Sequence, residues 1–114
     1  MKKSKGKEGE DIEERSIIEH TYNEAYDTSY QLGKAIYEKH LFHEEKERNM
    51  KLIGIYSKNS YEWYMTDWAC INFGITTVPL YDTLGVANLT YCLKQTEITS
   101  LFVTAATLKT LLTL

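Results

Sequence analysis

The chain has 114 residues, enough for one domain, and its 43% hydrophobic and 25% charged residues are typical of a globular protein rather than a disordered one. Its net charge is −3 and no cluster of Lys or Arg follows Lys7, which excludes the basic surface with which proteins bind nucleic acids. No apolar run is long enough to span a membrane, and the amino terminus lacks the apolar core of a secretory signal. Cys70 and Cys92 form no C-x-x-C pair, as is typical of reduced thiols that pack in a core. We therefore expect a soluble, cytoplasmic protein with no nucleic-acid partner and no transmembrane segment.

Charge divides the chain into two parts. Residues 1–58 hold 11 of the 13 basic and 12 of the 16 acidic residues, so the second half is the part suited to burial. The opening stretch "MKKSKGKEGEDIEERS" has too few apolar side chains to offset the entropy lost on ordering. Its basic and acidic halves largely cancel, which favours a solvated tail over a segment that attracts a membrane or a partner. The sequence predicts a mobile leader over residues 1–19 and an incomplete domain over residues 20–114.

The first helix is predicted at "TYNEAYDTSYQLGKAIYEKH". Thr21 and Glu24 have the spacing of a capping box, in which each side chain satisfies a free backbone N–H group. The apolar side of this helix is formed at helical spacing by Ala25, Ser29, Leu32 and Ile36. Tyr22, Tyr26 and Tyr30 indicate either a ligand platform or aromatic residues at the edge of the core. We favour the second interpretation, with buried rings and solvated hydroxyls.

Two histidines lie in the charged segment "HLFHEEKERN" that follows. His40 and His43 would share a helix face and, with Glu44, indicate a possible metal site. The segment is polar, however, and no complete set of ligands is evident. We favour a solvated linker and predict no metal-binding residue.

Alternating strands and helices are predicted from residue 50 onward. The run "MKLIGIYS" suits a strand buried on both faces, and Asn59 with Glu62 repeats the capping-box spacing at the start of a helix that ends before Gly74. A second strand, "ITTVPLY", carries Pro79 near its carboxyl end. The helix "GVANLTYCLKQTE", the strand "SLFVTA" and the helix start "TLKTLLTL" follow. This order predicts an α/β fold with a partial parallel sheet and right-handed crossover helices. The apolar faces of so small a sheet and the abrupt end predict a piece of a larger domain.

The stretch "IGIYSKNSYEWYMTDWACINFGITTVPLYDTLG" resembles the amino-terminal region of AMP-forming acyl-CoA synthetases, in particular long-chain fatty-acid-CoA ligases. The resemblance lies in a strand at residues 53–57, an Asn-x-x-Glu-Trp helix start at residues 59–63, and "VPLYDTLG" at residues 78–85. The upstream segment "TYNEAYDTSYQLGKAI" is similar to the early helix of the family. Ser60 and Tyr61 stand where the family usually has Arg-Pro. The resemblance implies the first part of the large amino-terminal domain of an acyl-CoA synthetase-like fold.

The same resemblance implies an enzyme that uses ATP and magnesium to convert a fatty acid into an acyl-adenylate and then transfers the acyl group to coenzyme A. Its phosphate loop, adenine-binding segment, ribose-binding aspartate and catalytic lysine have no counterpart here, and the six glycines stand singly. We expect no catalytic, cofactor-binding or metal-binding residue in this chain, and no activity of the chain alone. The expected partner is the remainder of the synthetase or another covering chain, and membrane association is expected only of the complete enzyme. The alternative is a truncated, non-catalytic binding or regulatory module that docks on a full-length synthetase.

The loop of Tyr81, Asp82 and Thr83 follows the second strand, at the edge where open α/β sheets form crevices. Asp82 suits a cap for the next helix, with Gly85 easing the turn, and we favour this role over direct contact with substrate. The direct role of the three residues stays open. Unpaired strand edges also predict that the isolated chain is unstable or aggregates.

Overall fold

The computed structural model describes residues 3–5, 11–13 and 17–114 of the chain. Two short strands, β1 (Lys3–Lys5) and β2 (Asp11–Glu13), pair antiparallel with each other. The predicted mobile leader falls in part on residues 1–2, 6–10 and 14–16, which lie outside the described residues.

The main body consists of four helices and a four-stranded sheet. Its elements in chain order are α1 (Tyr22–Glu38), β3 (His43–Glu45), β4 (Met50–Tyr56), α2 (Tyr61–Asn72), β5 (Thr76–Leu80), α3 (Val86–Thr96), β6 (Leu101–Val103) and α4 (Ala105–Leu111). β4 is the central strand, and it pairs parallel with both β5 and β6. The predicted α/β fold with a partial parallel sheet is therefore confirmed.

The segment predicted as a solvated linker contains a strand. β3 pairs antiparallel with β4, with His43 opposite Leu52, so the sheet is mixed rather than purely parallel. The cause is Phe42, whose side chain is buried beside Ile36 in the core and brings the following residues alongside β4. One apolar side chain in a charged run is a weak sequence signal, and the prediction of a linker was wrong.

The core lies on both faces of β4, as its continuous apolar run predicts. Residues 52–56 of this strand are all buried. One face packs against α1 and α2 through the buried cluster of Ile36, Phe42, Ile53, Ala69, Cys70 and Ile75. The other face packs against α3 and α4 through Tyr56, Leu80 and Leu89, with Leu111 beside them. Because side chains alternate along a strand, Ile53 and Tyr56 point to opposite faces.

The helix ends show which local predictions hold. The capping box of α1 is confirmed: the N–H group of Glu24 donates to Thr21 Oγ1 at 3.1 Å, and the N–H group of Thr21 donates to the Glu24 carboxylate at 3.4 Å. The cap predicted for α2 was wrong, because Ser60, not Asn59, accepts the hydrogen bond from the N–H group of Trp63. Gly74 follows α2 with a positive φ of 67°, as predicted for the residue after a helix C-cap.

The three tyrosines of α1 are more exposed than predicted. Tyr22, Tyr26 and Tyr30 are 91%, 58% and 40% exposed, so the prediction of buried rings was wrong for Tyr22 and Tyr26. The reason is that α1 and α2 make their close contact at Gly33, away from the first turns of α1. A Cβ atom on Gly33 would lie 2.5 Å from the carbonyl oxygen of Ala69, so the helices approach closely near the carboxyl-terminal half of α1. Tyr22, in the first turn, lies far from that contact.

Candidate functional site

The strand order creates a topological switch point between β4 and β6. The same three residues of β4, Gly54 to Tyr56, pair with β5 on one edge and with β6 on the other. The helix α2, which leads to β5, packs on one face of β4, and α3, which leads to β6, packs on the opposite face. The helical connections on either side of the gap between β4 and β6 therefore lie on opposite faces of the sheet. In open α/β sheets the ligand crevice lies at the carboxyl ends of the strands at such a point.

Two cavities are present at this edge of the sheet. The first has a volume of about 290 Å³ and lies between the end of β4 and the start of α2; it is lined by Ser57, Ser60, Trp63, Phe102 and Thr104, among others. The second has a volume of about 260 Å³ and is lined by Tyr56, Lys58, Asp82, Thr104 and Thr107, among others. Thr104 lines both cavities. We call the two together the switch-point crevice.

The start of α4 forms one wall of the switch-point crevice and is held by hydroxyl groups. Thr104 and Thr107 form a capping box, in which the N–H group of each donates to the hydroxyl oxygen of the other. The Thr107 hydroxyl also donates to the carbonyl oxygen of Tyr56 at 2.7 Å in a buried hydrogen bond. The helix is thereby fixed to the last residue of the central strand. No sequence spacing indicates this contact, because its two residues are far apart in the chain.

The structure gives Asp82 a different neighbour from the predicted one. Gly85 is the N-cap of α3, no side chain caps that helix, and Asp82 precedes Gly85 by three residues, too far to serve as the N-cap. The Asp82 carboxylate instead lies 3.9 Å from the Lys58 ammonium group at the mouth of the second cavity. The prediction that Asp82 caps α3 was therefore wrong. Gly85 has a φ of −66°, so no turn there requires glycine.

Tyr81 and Thr83 flank Asp82 and are both exposed, whereas the Asp82 side chain is only 28% exposed. Asp82 lines the second cavity of the crevice. A charged pair this accessible contributes little to stability, since solvent screens it. Because Lys58 and Asp82 line the second cavity, a polar ligand bound there would contact them.

The polar side chains that line the switch-point crevice can bind a ligand. Hydroxyl groups can donate to and accept from a ligand, and Lys58 supplies a positive charge. Among the described residues, no group of three or more His, Cys, Asp or Glu side chains is placed to hold a metal ion. His40 and Glu44 form an exposed pair 4.0 Å apart, and neither lines the two cavities of the crevice.

The two cysteines are free thiols away from the crevice lining. Cys70 is fully buried, as predicted for a core residue, and Cys92 is half-buried beside the second core cluster. Burial, and secondarily the charge of Asp67, raise the pKa of the Cys70 thiol to about 12. A thiol that stays protonated is a poor nucleophile, so Cys70 is a packing residue.

An open α/β sheet with a switch-point crevice defines a large class of ligand-binding proteins, and comparison with known sequences narrows it. The chain belongs to the AMP-binding enzyme family, whose sequence profile matches residues 9–113. This match confirms the resemblance seen in residues 53–85. No helix in the described part of the chain is long and apolar enough to cross a membrane.

Individual relatives are named as long-chain acyl-CoA synthetases or long-chain-fatty-acid--CoA ligases. The chain is 35% identical to Long chain acyl-CoA synthetase 2 of Arabidopsis thaliana over 95 residues, which are 81% of this chain and 13% of that protein. It is 33% identical over 82 residues to Long-chain-fatty-acid--CoA ligase 1 of Cavia porcellus, with 72% of this chain and 11% of that protein covered. It is 31% identical over 83 residues to Long-chain-fatty-acid--CoA ligase 6 of Homo sapiens, again 11% of that protein. The chain thus spans little more than a tenth of the length of these relatives.

Proposed function

We propose that the chain is the amino-terminal part of a long-chain fatty-acid-CoA ligase. The complete enzyme would activate a fatty acid with ATP and Mg²⁺ to an acyl-adenylate and transfer the acyl group to coenzyme A. The observation that carries this proposal is the match of most of the chain to proteins named as long-chain acyl-CoA synthetases and ligases. In this proposal the enzyme is cytoplasmic, and only its complete form associates with membranes.

The residues of this chain do not fit the phosphates of a nucleotide. A phosphate-binding turn exposes bare backbone N–H groups at a helix start. Between β4 and α2 the chain instead carries Ser57, Lys58, Asn59 and Ser60, and the N–H group of Trp63 is already bound by the Ser60 hydroxyl. The ATP, magnesium and coenzyme A sites would therefore be formed by residues outside this chain.

What the chain contributes, in our proposal, is one wall of the substrate crevice. The capping box at the start of α4 and the Thr107 to Tyr56 hydrogen bond hold that wall in place. Lys58 and Asp82 at its mouth would orient a polar group that approaches the carboxyl ends of the strands. They bind and position, and they take no part in bond making.

A second candidate is a non-catalytic module that docks on a full-length synthetase. Exposed apolar side chains on α3, on α4 and at the C-cap of α4 favour it, since Val86, Leu108 and Leu112 are 49%, 40% and 76% exposed. The same surface would be covered within one chain if the first proposal holds. The two candidates therefore differ in whether the covering surface is part of the same polypeptide.

The test is a ligase assay with radiolabelled palmitate, ATP, Mg²⁺ and coenzyme A. It compares the 114-residue chain with the longest product that its gene encodes. We expect ATP-dependent acyl-CoA from the long product and none from the short chain. In the long product, Lys58→Ala should lower kcat/KM, whereas Lys109→Ala, which changes an exposed lysine on α4, should leave it unchanged. A long product that forms no acyl-CoA with any fatty acid would overturn the proposal.

A further inference from the structure

A groove lined by aromatic rings lies between the start of α1 and α2, on the face of the molecule opposite to α3 and α4. Its cavity has a volume of about 440 Å³. Five aromatic rings line it: His20, Tyr22, Tyr61, Tyr64 and Trp68. The buried side chains of Ala25 and Met65 form its floor. Neither the fold nor the proposed ligase reaction assigns a role to this groove.

The rings of this aromatic groove are organised and yet accessible. The His20 and Tyr61 rings stack with their centroids 4.0 Å apart and their planes 10° apart, which fixes one wall. Tyr64 and Trp68 stand one helical turn apart on α2 and are 49% and 43% exposed. Both rings line the groove and are half open to solvent, so a ligand that enters it can contact them.

The described side chains that line the groove include no Lys or Arg. They include no Asp or Glu either, and one carboxylate, that of Glu24, lies next to the lining. The Glu24 carboxylate lies at the rim, 3.8 Å from His20 Nδ1 and 3.4 Å from the N–H group of Thr21. The surroundings therefore favour a cationic occupant and disfavour an anionic one.

We propose that the aromatic groove binds the quaternary ammonium group of a small soluble compound. The face of an aromatic ring carries negative charge density, and it attracts a cation most effectively when the cation sheds little water. A methylated ammonium group is apolar on its outside and weakly hydrated, so it suits rings and a carboxylate together. A lipid headgroup of the same chemistry carries a phosphate, which the Glu24 carboxylate at the rim would repel. This chemistry selects a free ammonium compound as the occupant.

This inference does not rest on the ligase proposal. Binding of an ammonium compound needs neither ATP nor coenzyme A, so its test is made in their absence. A failure of one proposal is therefore distinguishable from a failure of the other.

The test observes the ligand by saturation-transfer difference NMR, which detects weak binding of a small molecule to a large protein. The longest product of the gene is titrated with choline, through its nine equivalent methyl protons, and separately with 3,3-dimethyl-1-butanol. The second compound has the same shape without the charge. We expect saturable binding of choline, and at least tenfold weaker binding of the neutral analogue. Equal binding of both compounds would show a merely apolar groove and overturn the proposal.

Single substitutions show whether choline binds in the aromatic groove. Tyr64→Leu and Trp68→Leu should each weaken choline binding about tenfold, whereas Tyr64→Phe, which keeps the ring and the fold, should retain it. Tyr91→Leu is the matched control, because Tyr91 is an exposed tyrosine on α3, outside the groove. If Tyr91→Leu weakens binding as much as Tyr64→Leu does, the site lies elsewhere. Association with phosphatidylcholine vesicles without binding of free choline would also overturn the proposal in favour of a lipid surface.

Discussion

The hydroxyl group of Thr107 donates a buried hydrogen bond of 2.7 Å to the main-chain carbonyl oxygen of Tyr56. It joins the first turn of α4 to the last residue of the central strand. Both residues line the switch-point crevice, so a single side chain both stabilises the sheet edge and shapes the candidate site.

Thr107→Val keeps the shape of the side chain and removes its hydroxyl. Because the variant loses a buried hydrogen bond and half of the capping box, we expect the free energy of unfolding to fall by about 1–3 kcal/mol. Urea denaturation measures this change. Thr113→Val is the control, since the Thr113 hydroxyl is exposed and bonds only within its own turn, and it should change stability by less than about 0.5 kcal/mol. Equal effects of the two substitutions would show that the Tyr56 contact is unimportant.

Ser60 and Asn59 offer a direct test of the corrected helix cap. Ser60→Ala removes the acceptor for the Trp63 N–H group, and we expect it to lower the free energy of unfolding by about 1 kcal/mol. Asn59→Ala should have almost no effect, because Asn59 is exposed and does not cap α2. Hydrogen exchange of the amides in the first turn of α2 measures both. Faster exchange in the Asn59 variant than in the Ser60 variant would restore the cap expected from the spacing of Asn59 and Glu62.

Gly33 marks the close contact of α1 and α2. A Cβ atom there would lie 2.5 Å from the carbonyl oxygen of Ala69 and 2.6 Å from the ring of Phe73, and the carbonyl belongs to the backbone of α2. Gly33→Ala should therefore force the helices apart and destabilise the protein by about 1–3 kcal/mol, despite the higher helix propensity of alanine. Gly85→Ala is the control, since a Cβ atom at Gly85 meets nothing within 4 Å. A stabilised Gly33 variant in thermal denaturation would contradict the helix contact.

Cys70 should respond to pH through its displaced pKa. Burial raises the pKa of this thiol from 9.0 to about 12, so the folded protein holds the proton more tightly than the unfolded chain does. The stabilisation is fully present below pH 9 and is lost as the pH rises from 9 toward 12. In a Cys92→Ser variant, labelling by iodoacetamide at pH 8 should proceed only as fast as the protein unfolds. Rapid labelling of the folded variant would show that Cys70 is accessible.

The sequence was most informative where a local pattern has one physical solution. The Thr21 capping box, the buried run of β4 and Gly74 after α2 were all predicted correctly, because hydrogen bonds and side-chain periodicity act over a few residues. The sequence was least informative where a contact forms between residues that are far apart in the chain. The burial of Phe42 that creates β3, and the pairing of Asp82 with Lys58, depend on how strands pair, which local spacing does not encode.

Two of the incorrect predictions have a common cause. Asn59 and Asp82 are both good capping residues, and each lies near a helix start. The structure begins those helices later, at Tyr61 and Val86, so a serine and a glycine occupy the N-cap positions instead. Helix boundaries shift by one or more residues with tertiary packing, which a pattern of preferred residue types does not resolve.

The central claim, that the chain is the amino-terminal part of a long-chain fatty-acid-CoA ligase, is tested most directly by long-read sequencing of its transcript through the codon for Leu114. We expect an open reading frame that continues into a Ser/Thr/Gly-rich phosphate loop and the remaining parts of the ligase. A stop codon directly after Leu114 in every transcript would contradict it and would favour the docking module.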